Sequence, residues 1–366
     1  MKRRFGPSLY FANDKVIFDA MNHARVTMDQ IRELLFERNI VVSAKTSKYD
    51  LAQYFSRLPA DYFDHKAIAG KIGKVAQRER ITYTEITNSV TRQEIIEGLQ
   101  AVKNKVEESS DVLEIDVQPD RIVAIFSYEH IDYTQVEFRQ VQPRDAVIEI
   151  LKNEAGNFVI RSSQNKYADS VVDETFAAIN SSRTEKIGAR RLTLTGFPDP
   201  VKRTEFFNKL IGGIQGHSLV TVTEAYCYKP QSSAASSSDS DSESEDDDGA
   251  EKSLEDQPFV ERISLKGKGV TKSFVIDELY EKGYYIVKVV WHVKANESMD
   301  SDIFELEAQF SEPKDCTDFS YQTRCVVICE DGKPTKKKRT PKLAEDDAMF
   351  RLIENAAKAA RDGLEM

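Results

Sequence analysis

Four cysteines in 366 residues do not make a disulfide framework, so a reducing compartment fits best. No apolar run approaches the roughly 18 residues that a membrane-crossing helix needs, and mean hydropathy is −0.49. The basic start MKRRFGPSLYFANDK has no apolar core behind it and does not read as a signal peptide. The expectation is an intracellular protein: cytoplasmic or nucleoid in a bacterium, nuclear in a eukaryote. Catalytic and metal patterns are thin. The five histidines (His23, His65, His130, His217, His292) are scattered, and no nucleophile can be tied to His130 and its neighbour Asp132. Cys316, Cys325 and Cys329 are spaced by nine and four, not by the paired two-residue gaps of zinc sites, and read as core. GKGVTKS at 267–273 lacks the Gly-Lys-Ser/Thr that closes a phosphate loop.

What is there is charge, unevenly placed. The net charge is −10. Between Asp239 and Asp256 ten acids face one lysine, so that stretch alone carries −9 and the rest of the chain about −1. Residues 1–80 hold fifteen Lys/Arg against nine Asp/Glu, a net of +6, and a second basic cluster, KKKR, stands at 336–339. Segregation of this kind suggests nucleic acid or a charged partner surface. KKKR fits a nuclear import signal or a phosphate-binding tail.

Residues 1–105 read as a helical module. VIFDAMNHA, TMDQIRELLFER and DLAQYFSRL repeat apolar residues at helical spacing, with Thr27 as an N-cap. HKAIAGKIGKVAQRER and RQEIIEGLQAVKNKVEE add two helices. Residues 106–185 read as a mixed domain. VLEIDV, RIVAIFSY and TQVEFRQV alternate as half-buried strands. PRDAVIEILKNEAG reads as a helix from Pro143 to a stop at Gly156, FVIRSS as a strand and ADSVVDETFAAINSS as a helix. Residues 186–332 read as a repeated strand-helix-strand domain. RLTLTG (191–196) and RISLKG (262–267) each precede a helix and then a long strand, HSLVTVTEAYCYK and YYIVKVVWHVKA. Two more strands follow, IFELEAQF and SYQTRCVVIC. Between the copies, 231–257 is too polar and acidic to fold and reads as a disordered insertion. In 333–366 an exposed basic segment leads to a helix with the stripe Met349, Leu352, Ile353, Ala356, Ala360. The fold class is α+β.

The stretch RNIVVSAKTSKYDLAQYFSRL places Ser and Lys in a connector between two amphipathic helices. Ser47 can cap the second helix, whose free N–H groups beside Lys45 and Lys48 suit an anion. Lys66, Lys71, Lys74, Arg78 and Arg80 could extend a face that tracks phosphates. Residues 28–58 resemble the SAP and related helix-extended-loop-helix modules: Arg38-Asn39-Ile40 stands at the helix end, with Asn for the usual Gly, and Ser43-Ala44-Lys45 at the turn, with Ala for Gly. The resemblance implies DNA phosphate contacts at Arg38, Ser43, Lys45, Ser47 and Lys48.

The resulting expectation is a non-catalytic protein that binds duplex DNA without sequence preference, with no metal, cofactor, small-molecule ligand or membrane, and with protein partners on its α+β body. Two alternatives stay open. One is an interaction subunit that touches no nucleic acid. The other is a divergent metal-dependent nuclease, because Glu137-Phe138-Arg139 on a predicted strand is similar to nuclease strands that end Glu-x-Lys, with Arg in the place of Lys.

Overall fold

The computed structural model describes residues 12–24, 26–72, 79–108, 112–131, 137–153, 156–230, 260–296 and 301–365. The acidic insertion 231–257, Lys74 and Arg78 lie outside the described residues. The fold is α+β, in two compact units.

Unit 1 opens with four helices: α1 (Asp14–Asn22), α2 (Met28–Glu37), α3 (Lys48–Ser56) and α4 (Tyr62–Ile72). They close over Ile17, Met21, Ile31, Leu35, Leu51, Phe55 and Ile68, the apolar stripe of each helix. Thr27 caps α2 in a full capping box with Gln30. At the other end of α2, Asn39 takes the left-handed conformation (φ 59°). The Ile40 N–H donates to Leu35 O (2.9 Å) and the Asn39 N–H to Phe36 O (2.8 Å). These are the two bonds of a Schellman stop, with Asn where Gly is usual.

The same unit holds α5 (Arg92–Glu108) and α7 (Lys166–Ser181), which lie so close that a Cβ on Gly98 would come 2.7 Å from Ile179. Its strands β2 (Val112–Val117), β3 (Arg121–Ile131) and β4 (Val141–Lys152) form an antiparallel meander. A four-residue helix, α6 (Glu137–Gln140), sits before β4, and its Phe138 joins the core of α1–α4.

Unit 2 is a sheet with helices on one face. Its strand order is β5 (Phe158–Ser163), β1 (Ile81–Thr87), β11 (Thr317–Glu330), β10 (Ile303–Glu312), β9 (Tyr285–Ala295), β7 (His217–Tyr228) and β8 (Arg262–Lys266). β1 and β5 belong to it through residues 80–85 and 159–164. Helices α8 (Pro200–Gly212), α9 (Phe274–Glu281) and α10 (Leu343–Asp362) bury Phe206, Phe207, Ile276, Met349, Ile353 and Ala356 against Tyr285, Trp291, Leu306, Phe310 and Tyr321. The expected C-terminal stripe thus packs on the chain's own core. Arg161 fastens α10 to β5 by two bonds to Glu354 (2.6 and 2.8 Å), and the Tyr321 hydroxyl donates to the same carboxylate.

Five expectations are corrected. Residues 81–87 are strand β1, not part of a helical stretch to 105; Thr82, Thr84 and Ile86 are buried at strand spacing, and two of the three are polar. PRDAVIEILK is strand β4, not a helix: Ala146, Ile148 and Ile150 point inward at period two, whereas Val147 and Leu151 had mimicked a helical stripe. Of TQVEFRQV, the described residues 137–140 are helical, which removes the strand on which the nuclease reading rested. RLTLTG is not a strand, because β6 (Gly188–Arg191) stops at Arg191. Leu194 is instead buried with its N–H on Cys316 O (3.0 Å), and the Thr195 hydroxyl donates to Asp315 O (3.3 Å). The 333–339 segment is strand β12 (Lys333–Arg339) on β11, not a free tail. Lysines and Pro334 are what a strand with one open edge carries to discourage further pairing.

Candidate functional site

The connector 38–48 was the candidate anion site, and its cations divide into two groups. Arg38 is tied inward. Its Nη1 donates to Pro59 O (3.0 Å), its Nη2 pairs with Asp64 Oδ1 (2.6 Å), and its guanidinium lies 4.8 Å from the Phe55 ring. Burial works to raise the Asp64 carboxyl, but the Asp61 backbone hydrogen bond and the Arg38 charge outweigh it and hold it below its ordinary value. Lys48 is also used within the fold. Its Nζ donates to His23 O (2.6 Å) and Asn22 O (3.3 Å), the carbonyls at the end of α1, where a cation complements the helix dipole. Lys71 pairs with Glu33 on α2. Ser47 is the α3 N-cap, as expected: its Oγ accepts the Asp50 N–H (3.2 Å) and donates to Asp50 Oδ2 (2.7 Å). Arg32, not singled out from the sequence, pins the connector by donating to Ala44 O (2.8 Å).

Ser43, Lys45 and Lys66 face solvent. Ser43 accepts the Lys45 N–H (3.2 Å), and among the described residues the Lys45 and Lys66 ammonium groups meet no carboxylate. The bundle itself is nearly neutral: residues 12–72 hold nine Lys/Arg against eight Asp/Glu. The +6 excess of residues 1–80 therefore comes mainly from the flanks, +3 in 1–11 and +2 in 73–80.

The bundle surface also carries exposed apolar groups. Sixteen large apolar residues are exposed among those described, and seven belong to these helices and their connectors: Met28, Phe36, Val41, Tyr49, Tyr54, Tyr62 and Phe63. Phe36 (69% exposed), Val41 (83%) and Phe63 (75%) stand within three residues of the Arg38–Asp64 tie that joins the end of α2 to the start of α4. Sequence reasoning passed over them because each lies off the stripe that forms the core. That offset was itself the available signal.

Unit 2 carries a second polar constellation. On the sheet face opposite the helices, Glu307 is 2% exposed and receives Lys288 Nζ (2.9 Å), Arg80 Nη1 (3.1 Å) and Arg324 Nε (3.4 Å). Glu305 receives His292 Nε2 (3.0 Å), Lys338 Nζ (2.9 Å) and Arg324 Nε (3.6 Å). The His292 hydrogen bond, opposed by burial and aided by Lys338 and Arg324, draws the Glu305 carboxyl down to about 2. For Glu307 burial would raise the value, but Lys288 and Arg80 outweigh it and the carboxyl is held low. Lys338 and Arg339 of the KKKR cluster are thus partnered, Arg339 by Asp302 (3.0 Å) and Glu345 (2.7 Å).

All four cysteines are free thiols, Cys227 and Cys316 buried and Cys325 and Cys329 half-buried. Among the described residues no group of three or more His, Cys, Asp or Glu is placed to hold a metal ion, and no helix is long and apolar enough to cross a membrane. No protein-family model matches the chain, and no curated protein matches it.

Proposed function

We propose that this is a non-catalytic binding protein whose N-terminal four-helix module docks a protein partner. The observation that carries the reading is the set of exposed rings and Met on a nearly neutral bundle, with Phe36, Val41 and Phe63 all within three residues of the Arg38–Asp64 tie. Aromatic residues and Met are enriched, and Lys, Glu and Asp depleted, where proteins meet. The test is affinity capture by the full chain from its own cells, with nuclease present. The protein partner should survive nuclease and the pair Lys45→Glu and Lys66→Glu, and should be lost with Phe36→Ser and Phe63→Ser. Retention by the apolar pair would defeat the reading.

Binding of DNA phosphates is the second reading, and one observation favours it. Exposed Ser43 and Lys45 stand just before the capped start of α3, with Lys66 exposed on α4. Arg38, Lys48 and Lys71 have partners within the fold, so this reading leans on Lys45, Lys66 and the flanking Lys74 and Arg78. It is tested by a DNA titration of the full chain at about 50 and 200 mM salt, since phosphate-dominated binding weakens steeply over that range.

A further inference from the structure

We propose that the polar face of the unit 2 sheet is a docking surface for Asp/Glu-rich polypeptide, and that its occupant is this chain's own segment 239–256. The charges of the face are layered. The Glu305 and Glu307 carboxylates lie deep, at 11% and 2% exposure, while Lys266 and Lys338 stand out at 63% and 54%. Five cations (Arg80, Lys266, Lys288, Arg324, Lys338) meet three carboxylates (Glu224, Glu305, Glu307), which leaves an excess of two positive charges. The excess lies on the solvent side, because the anions are the buried partners. Shared carboxylates hold the cations in place: Arg324 bridges Glu305 and Glu307. Bound in this way they meet an incoming carboxylate with little loss of side-chain freedom. Among the described residues the ring on this face, Tyr226, lies under the Lys288 ammonium (5.0 Å) and is not open for a base to stack on. Acidic polypeptide suits it better than single-stranded nucleic acid.

The chain's own acids are tethered beside it. The segment leaves at the end of β7 and returns at the start of β8, the last two strands of the same sheet. From Pro230 the first acid, Asp239, is nine residues away, a reach of about 30 Å when extended. Lys338 lies four strand steps of about 4.8 Å across from β7. In register with Val327, Ile303, Lys294 and Ser218, it also lies about 30 Å back along the strands from Tyr228. The acids that reach it are therefore those in the middle of the segment, such as Asp246 and Asp248, sixteen and eighteen residues from Pro230. A short tether holds a ligand at an effective concentration on the order of millimolar, so modest pairwise attractions suffice.

The test is zero-length carbodiimide cross-linking of the full chain, mixing unlabelled and nitrogen-15-labelled protein. The expected result is links from 239–256 to Lys266 and Lys338 within one chain. They should form at about 50 mM salt and be lost near 1 M, where charges are screened beyond about 3 Å. Three results would overturn the proposal: links spread equally over Lys15, Lys45 and Lys66 on the helical module, links mainly between differently labelled chains, or links erased by equimolar duplex DNA. None of these bears on docking at Phe36 and Phe63, which is read by capture.

Discussion

The helical module and the unit 2 sheet both engage cations internally, four of the module's eight described ones (Arg32, Arg38, Lys48, Lys71), but with different partners. In the module, Arg32, Arg38 and Lys48 donate to backbone carbonyls at Ala44, Pro59 and His23. In the sheet, Arg80, Arg324, Lys288 and Lys338 converge on two sunken carboxylates. The first arrangement fastens connectors and helix ends, and losing one cation costs one or two hydrogen bonds. The second is a network in which losing one anion strands several charges at once. A basic stretch in a sequence therefore says little about phosphate binding until the partners of its cations are known.

The largest expected effect comes from breaking the network at its centre. Glu307→Ala leaves Lys288, Arg80 and Arg324 without the carboxylate they share, and should cost about 3–5 kcal/mol in urea unfolding. A cost under about 1 kcal/mol would show the network to be loosely solvated. In the module the matching loss is apolar. Leu51 is fully buried, and Leu51→Ala should cost about 2–5 kcal/mol; helicity of the α3 region reads it.

Acid should separate the two regions next. Glu305 and Glu345 have folded values drawn down to about 2 from an ordinary 4.5. Lowered values contribute stability that is present above the ordinary value and lost as pH falls through the folded one. Unit 2 should therefore lose stability progressively between about pH 4.5 and 2, and Glu305→Gln should flatten part of that slope. An unchanged slope in the Gln variant would remove Glu305 from the account. A smaller effect is expected at Arg38. Arg38→Met keeps the stem over Phe55 but loses Pro59 and Asp64, at about 1–3 kcal/mol, read by thermal unfolding.

Sequence periodicity carried much of the secondary structure. The helices α1–α3, the Asn39 stop, the Ser47 cap and the strands from β7 to β11 follow from stripes, caps and alternation that are local properties. β1 and β4 were missed for two different physical reasons. Thr at two inward positions hid one alternation, and paired apolar residues such as Val147-Ile148 satisfied both periods in the other. The candidate site was legible only in part. Ser47 as a cap is a local property, but Lys48 on His23, Arg38 on Asp64 and Lys338 on Glu305 join residues 25, 26 and 33 apart. Which cation stays free depends on tertiary placement, and no spacing in the sequence encodes it.

The central claim is that most cations of the connector serve the fold and not a phosphate. Lys45→Met and Lys48→Met in the full chain test it most directly, because Met keeps the stem and removes only the charge. Native-state hydrogen exchange at the amides of α1 and α3 reports local opening. Lys48→Met should speed exchange at the end of α1 by about fivefold, the equivalent of roughly 1 kcal/mol for a lost helix-end partner. Lys45→Met should leave both helices within about 0.5 kcal/mol of the parent. Equal behaviour of the two variants would contradict the account and return Lys48 to the set of free cations.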